Sequence, residues 1–118
     1  MTSKLETYIL KNLKVPYFYN LVMVYGINDK DSQQNILSKY YGFEVIISGN
    51  QIYDTEGNRF YYEVSNGYWE KYEYDSNGNE IYSEDSNGKW VKREYNSNGG
   101  RVYYEDYDGV LFDNRRKK

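Results

Sequence analysis

The fold is decided by a stretch that occurs three times, as Tyr53-Asp-Thr-Glu-Gly57, Tyr74-Asp-Ser-Asn-Gly78 and Tyr95-Asn-Ser-Asn-Gly99. The copies are 21 residues apart, without insertion or deletion. Glycines at 57, 67, 78, 88, 99 and 109 divide each 21-residue repeat into segments of 10 and 11 residues. A fixed period of this length is typical of one supersecondary unit that is stacked on its own copies.

Each glycine-containing segment separates runs of about six residues, which is the usual length of a strand. Asn and Gly tolerate the positive φ of tight turns, so hairpin turns are predicted at Val64-Ser-Asn-Gly67 and Asp85-Ser-Asn-Gly88. Consecutive hairpins with such short loops predict an antiparallel meander. Strands are expected near 43–48, 51–54, 59–64, 68–74, 80–84, 89–95, 101–105 and 110–112.

Two helices are predicted before the repeats. Ser3 has capping-box spacing to the glutamate three residues later, which predicts a helix at about 3–13. An aspartate at position 29 or 31 offers an N-cap and Gly42 offers a C-terminal stop, so a second helix is expected at about 31–41.

The segment between these helices, residues 17–25, is apolar almost throughout and ambiguous. Its β-branched and aromatic content favours a strand, although a helix with Pro16 in its first turn also fits. We therefore predict an α+β protein, with short N-terminal helices packed on an antiparallel β-meander of 21-residue Tyr/Asn-Gly hairpin repeats. Its predicted parts are a helical or mixed cap at 1–42, the repeat sheet at 43–112 and a basic tail at 113–118.

The repeat columns predict what each strand presents. Two columns are apolar in every copy and are the expected core: Phe60, Ile81, Val102 and Trp69, Trp90, Leu111. Strict alternation along a strand places Phe60 and Tyr61 on opposite faces. The second face is then expected to be solvent-exposed and to carry tyrosines among acidic residues: Tyr61, Tyr82, Tyr103, Glu63, Glu84 and Glu105.

The amino-acid composition excludes several kinds of catalytic and metal site. The 118 residues contain no His and no Cys, so there is no conventional catalytic triad, thiolate nucleophile or soft-metal site. Repeated glutamates are expected to solubilise the sheet rather than to act as an acid–base pair. The Asp-rich turns miss calcium-loop spacing, because glycine arrives two positions early, and are interpreted as plain turns. We predict no enzymatic activity and no cofactor or metal.

The charge and hydropathy patterns concern location and partners. The absence of cysteine favours a reducing cytoplasm, and no apolar run is long enough to span a membrane. The net charge is −3, but residues 43–112 alone carry six basic and fourteen acidic side chains. Such an acidic body argues against direct nucleic-acid binding, which requires cationic side chains to neutralise phosphates. The basic end of the chain is interpreted as a solvated tail.

The segment Gly67-Tyr-Trp-Glu-Lys-Tyr-Glu-Tyr-Asp-Ser-Asn-Gly78 resembles the YD repeat of the Rhs family, whose units carry a Gly and then Tyr-x-Tyr-Asp-x-x-Gly. Gly100-Arg101-Val102 is similar to the Gly-Arg-hydrophobic signature of that family. The resemblance covers residues 53–112 and implies strand-turn-strand units, with carbohydrate binding in some members. Variant MORN repeats, which are also Tyr- and Gly-rich hairpins, are a second resemblance. Neither family supplies catalytic residues.

Tyrosine offers a large contact area and is enriched at protein interfaces. The leading hypothesis is a non-enzymatic module that binds another protein, one with a basic surface, as a small inhibitor of the kind used in phage counter-defence. The residues predicted to bind that partner are Tyr61, Glu63, Tyr72, Tyr82, Glu84, Tyr103 and Glu105. The alternatives are a carbohydrate-binding module that stacks sugars on Trp or Tyr, and self-association through an exposed sheet edge.

Overall fold

A computed structural model describes residues 3–115; residues 116–118 of the predicted basic tail lie outside that range. The chain forms two compact units, Met1–Trp69 and Glu70–Lys118. This division falls inside the predicted repeat segment rather than at residue 42. The first unit contains three helices and the first hairpin repeat, whereas the described part of the second contains strands and turns only.

Helix α1 covers Lys4–Asn12 and helix α3 covers Lys30–Tyr41, so both predicted helices are confirmed. The Ser3 side chain accepts a hydrogen bond from the Glu6 amide, and the Asp29 side chain caps α3 in the same way through the Ser32 amide. Gly42 ends α3 in the left-handed conformation, with φ of 83°.

The segment for which a strand was favoured is a helix, α2, at Tyr17–Met23. Its N-cap is Pro16, whose side chain cannot accept a hydrogen bond, and no local side chain replaces it. The strand preference is therefore wrong, because β-propensity mainly reports packing on a pleated surface and tertiary contacts override it. The tertiary contacts that stabilise the start of α2 come from the first repeat.

Eight strands follow in chain order and pair as an antiparallel meander, which confirms the predicted fold class. Their bounds are β1 Val45–Ser48, β2 Gln51–Asp54, β3 Arg59–Glu63, β4 Trp69–Tyr74, β5 Glu80–Asp85, β6 Trp90–Tyr95, β7 Arg101–Asp106 and β8 Leu111–Asp113. Helix α3 packs against the first of them: the Val45 amide donates to Ser38 Oγ at 3.0 Å, and the Ile47 amide donates to Gln34 Oε1 at 3.0 Å. Side chains of α3 thus satisfy backbone groups of an edge strand.

Five of the hairpin turns share one construction. In the turn at Asp75, the Gly78 amide donates to the Asp75 carbonyl oxygen, and Asp75 Oδ1 accepts from the Asn77 and Asn79 amides at 2.9 Å each. Gly78 has φ of 84°, a conformation that residues with a Cβ rarely adopt. The same side-chain bonds recur in four other turns, which start at Asp54, Asp85, Asn96 and Asp106.

A β-bulge recurs in every repeat and overturns the prediction that Phe60 and Tyr61 point to opposite faces. Ile52 pairs with Tyr61 but Tyr53 pairs with Arg59, so Phe60 is the extra residue. The later repeats shift their register at the equivalent places and leave Ile81 and Val102 as the extra residues. Two residues on a bulged strand oppose one on its partner, so alternation is interrupted there.

The core lies in the first unit. Its buried apolar side chains come from the three helices and from β1 to β3: Ile9, Leu13, Tyr17, Phe18, Leu21, Ile36, Leu37, Val45, Ile47, Ile52, Phe60 and Tyr61. Of the two columns predicted as core, only Phe60 is buried; Ile81, Val102, Trp69 and Trp90 are partly exposed and Leu111 is 62% exposed. No described residue in 70–115 is fully buried. A single layer of strands has no second layer to bury its apolar columns.

Candidate protein-binding surface

In the first repeat, Tyr61 and Glu63 cap the N-terminus of helix α2. Glu63 Oε1 accepts from the Phe18 amide at 2.8 Å, and Oε2 accepts from the Tyr19 amide at 3.0 Å. The Tyr61 hydroxyl accepts from the Tyr17 amide at 3.0 Å and donates to Glu63 Oε1 at 2.7 Å. The first amides of a helix lack intrahelical partners, so this pair supplies the cap that α2 does not have locally.

Aromatic packing encloses this pair. The Tyr61 ring lies 4.7 Å from the Tyr17 ring and 6.2 Å from the Phe18 ring, measured between centroids. Phe60 joins the same cluster through Tyr41, at a centroid distance of 4.8 Å. Burial, together with the neighbouring Glu63 carboxylate, raises the pKa of the Tyr61 hydroxyl far above its usual value.

The expectation that Tyr61 and Glu63 lie on an exposed face is therefore wrong. Tyr61 is 0% exposed and Glu63 is 6% exposed. They share one face, as residues two apart on a strand should, but helix α2 covers that face. Sequence alternation identifies residues on a common face and does not identify what covers it.

The equivalent pairs of the second unit also share one face. Tyr82 pairs with Lys92, and Lys92 pairs with Glu105, so their side chains lie on the same side of the sheet. By the same alternation this side carries Glu84 and Tyr103, and we call Tyr82, Glu84, Tyr103 and Glu105 the Tyr–Glu face. All four side chains are partly exposed.

Each tyrosine of the Tyr–Glu face donates to the glutamate two residues later, as Tyr61 does. Tyr82 Oη lies 3.2 Å from Glu84 Oε1, and Tyr103 Oη lies 2.6 Å from Glu105 Oε1. Partial burial and the Glu84 charge raise the pKa of Tyr82, and the hydrogen bond to Glu105 raises that of Tyr103. Each carboxylate retains lone pairs for a further donor.

The charges around the two pairs differ. Lys71 and Glu73 lie opposite Glu84 and Tyr82 in the register. Around Tyr103, the Arg115 guanidinium stacks 4.0 Å from the ring centroid, and it forms ion pairs with Glu94 at 3.0 Å and Asp113 at 2.9 Å. A cation therefore already occupies one side of the Tyr103 ring.

Tyr72 is not part of the Tyr–Glu face. It pairs with Ser83, and the residues on either side of Ser83, Tyr82 and Glu84, point the other way. Tyr72 instead donates to the Glu70 carboxylate. The same opposite face carries Tyr104, whose ring lies 5.7 Å from the Arg93 guanidinium and 5.0 Å from that of Arg101.

Sequence reasoning missed an apolar groove in the first unit. It has a volume of about 890 Å³ and lies between α2 and the turn at 64–67. Its lining includes Tyr19 and Met23, which are 56% and 67% exposed, and Val64, which is 40% exposed. The apolar run at 17–25 could have indicated this groove. A helix that is apolar on nearly all sides cannot bury every side against one sheet, so part of its apolar surface stays exposed.

Two kinds of feature are absent from the part of the chain that the structure describes. Among residues 3–115, no three acidic side chains converge as a metal site would need. No helix in the described part of the chain is long and apolar enough to cross a bilayer. The sequence matches no family model and no curated protein, so the likeness to YD and MORN repeats stays a prediction.

Proposed function

We propose that this protein is a non-enzymatic protein-binding module and that its Tyr–Glu face is the binding surface. The observation that carries the proposal is the contrast within the repeats. The Tyr61–Glu63 pair is fully engaged by α2, whereas Tyr82, Glu84, Tyr103 and Glu105 have the same bonds within each pair and are partly exposed. Rings and carboxylates that are joined by hydrogen bonds on one face are suited to a protein interface.

The charge of the face favours a basic partner. Strands β4 to β7 place Glu73 and Glu94 beside the pairs, and the interspersed cations are Lys71, Lys92 and Arg115. Complementary charge increases the rate of association and selects among partners. A small module of this kind acts by covering a functional surface of its partner, so inhibition is the proposed consequence of binding, and phage counter-defence is one setting for it.

The proposal is tested by affinity capture from a lysate of the source organism, followed by mass spectrometry. We expect Tyr82→Ser combined with Tyr103→Ser to remove the specific partner. The matched control is Tyr72→Ser combined with Tyr104→Ser, which removes two rings from the opposite face and should leave capture intact. The proposal is overturned if the first double variant retains every partner, or if both variants lose the same partners equally.

Carbohydrate binding is the second candidate, and one observation favours it. Trp90 lies opposite Glu84 in the register and is partly exposed, so its indole lies on the same side as the Tyr–Glu face. A planar, partly exposed ring suits stacking against a sugar. A glycan array separates the candidates: a hit that is lost in Trp90→Ala and insensitive to salt supports the sugar, since charge-assisted protein binding weakens with salt.

Self-association is proposed for the edge strand β8. Val110, Leu111 and Phe112 are 54%, 62% and 45% exposed, and exposed apolar edges are prone to pair with another chain. Light scattering at increasing protein concentration should show a dimer that Leu111→Lys removes. A mass that stays monomeric at every concentration overturns this part of the proposal.

A further inference from the structure

The Tyr61–Glu63 pair shows which ligand a Tyr-x-Glu strand accepts. It binds three successive backbone amides, those of Tyr17, Phe18 and Tyr19, at distances of 2.8–3.0 Å. These are the first three residues of α2. The aromatic side chains of the same helical turn pack on the tyrosine ring. The ligand is thus a helix N-terminus with aromatic residues in its first turn.

The second unit repeats this receptor without that ligand. Tyr82 and Glu84 have the same two-residue separation, the same strand alternation and the same hydroxyl-to-carboxylate hydrogen bond as Tyr61 and Glu63. Among the side-chain hydrogen bonds described for residues 3–115, the Glu84 carboxylate accepts only from the Tyr82 hydroxyl. The bulge residue Ile81 takes the place that Phe60 has beside Tyr61. Apolar, hydroxyl and carboxylate groups therefore stand in the same order.

We infer that the Tyr82–Glu84 pair binds the N-terminus of a helix in the partner protein, with an aromatic residue in its first turn. The inference rests on the proposed protein-binding function and names the partner's recognition element. The charges are complementary, because a helix N-terminus carries a partial positive charge and the receptor presents a carboxylate. Tyr103–Glu105 is the weaker receptor, since Arg115 already stacks on its ring.

The occupant is a different protein rather than a second copy of this chain. The N-terminus of α1 is capped by Ser3, that of α3 by Asp29, and that of α2 by Tyr61 and Glu63. Each helix in a second copy is capped in the same way. A free N-terminus must therefore come from another protein whose helix lacks a local cap.

The inference is tested with the ¹⁵N-labelled full-length chain and a helical probe. The probe is an acetylated, hydrocarbon-stapled peptide with the sequence of residues 15–25, which contains the natural ligand of the first repeat. A second peptide carries N-methyl groups on the three amides that correspond to Tyr17, Phe18 and Tyr19. Those amides form no intrahelical bond, so methylation removes the donors without removing a hydrogen bond of the helix, and far-UV circular dichroism of the two peptides checks that both are helical.

We expect the first peptide to shift the amide resonances of residues 81–85 in proportion to its concentration. N-methylation, or Glu84→Gln in the protein, should weaken binding by roughly tenfold or more, as loss of charge-assisted hydrogen bonds does. The control variant is Glu70→Gln, which removes the same charge from the opposite face and should not change the affinity. The spectrum of each variant without peptide reports whether it is folded.

Two results overturn the inference: no shift at 81–85, or equal binding by the methylated peptide. Failure of the proposed function is recognised separately. If the peptide does not bind but capture of the cellular partner still depends on Tyr82 and Tyr103, the inference that the ligand is a helix N-terminus is wrong and the proposed binding function stands. If capture is independent of those tyrosines, the Tyr–Glu face itself is wrong, whatever the peptide does.

Discussion

The first repeat and the second each carry a bulge residue, a tyrosine and a glutamate at the same repeat positions, yet the environments of these residues differ. Phe60, Tyr61 and Glu63 are buried, and the last two cap a helix. Ile81, Tyr82 and Glu84 have the same local geometry and are partly exposed. A repeated sequence therefore determines turn, bulge and hydrogen-bond pattern, whereas burial depends on what packs on the strand.

The comparison is tested most strongly at the glutamates. Glu63→Ala should lower the free energy of unfolding of the first unit by about 4 kcal/mol, because the buried Phe18 amide, the part-buried Tyr19 amide and the Tyr61 hydroxyl lose their acceptor. Glu84→Ala should change stability by less than about 0.5 kcal/mol, as partly exposed substitutions usually do. Urea unfolding followed by the amide resonances of each unit measures both, because the helices lie in the first unit and Glu84 lies in the second. Equal losses in the two variants would contradict the contrast between the repeats.

The bulge column gives the next largest contrast. Phe60→Ala should destabilise the first unit by about 3 kcal/mol, because a large ring leaves a cavity between Tyr41 and Phe43. Val102→Ala at the equivalent position should cost about 1 kcal/mol or less, since the valine is already partly in water. Denaturant titration of the two variants is the measurement. A cost at Val102 that matches the cost at Phe60 would mean that the second unit has a buried layer after all.

Alkaline pH should act on the first unit through three phenols, those of Tyr17 and Tyr61, which are buried, and that of Tyr41, which is partly buried. Burial is the largest cause that raises the pKa values of Tyr17, Tyr41 and Tyr61 above the usual value of about 10. The folded state then holds these protons more tightly than the unfolded state, so stability is constant below pH 9 and falls as the pH rises above that value. For three such groups the loss reaches about 1 kcal/mol at pH 10.

Urea midpoints measured at intervals from pH 8 to pH 10.5 test this dependence. Tyr41→Phe provides the control, because it removes one ionisable phenol and should make the decline shallower. A midpoint that stays constant over the whole range would show that the three phenols ionise as readily in the folded protein as in the unfolded chain.

Most of the sheet could be predicted because its signals are local. A glycine at each positive-φ position and an Asp or Asn three residues earlier define five of the turns, and the strands occupy the intervals between them. The bulges could not be predicted, because Phe60, Ile81 and Val102 have no local feature that marks an extra residue. An alternation count across a bulge therefore assigns the wrong face.

Helix α2 and the site depend on contacts that are distant in sequence. The groups that cap α2 are 44 and 45 residues away, so no pattern within 17–25 indicates the helix start. The common face of Tyr82, Glu84, Tyr103 and Glu105 followed from the repeat columns. Tyr72 was assigned with them although it lies on the other face, because the pairing of Tyr72 with Ser83 requires the register, which the sequence left open.

The turn at Val64 offers the smallest and most local comparison. It has the same backbone bond as the others, from the Gly67 amide to the Val64 carbonyl oxygen, but valine has no side-chain acceptor. In this turn the Tyr68 amide donates to Asn66 Oδ1 at 3.0 Å. An aspartate at position 64 would offer that amide a second acceptor. Val64→Asp should add a bond from the Asn66 amide and raise the free energy of unfolding by about 0.5 kcal/mol.

Thermal and urea unfolding of Val64→Asp measure this gain, and Val64→Leu is the control that cannot provide an acceptor. The side chain is 40% exposed and lines the apolar groove beside α2, so its replacement also removes part of an apolar contact. A loss of stability in Val64→Asp, with Val64→Leu unchanged, would mean that the apolar contact is worth more than the hydrogen bond. In that case the groove, rather than the turn, explains why this repeat differs from the others.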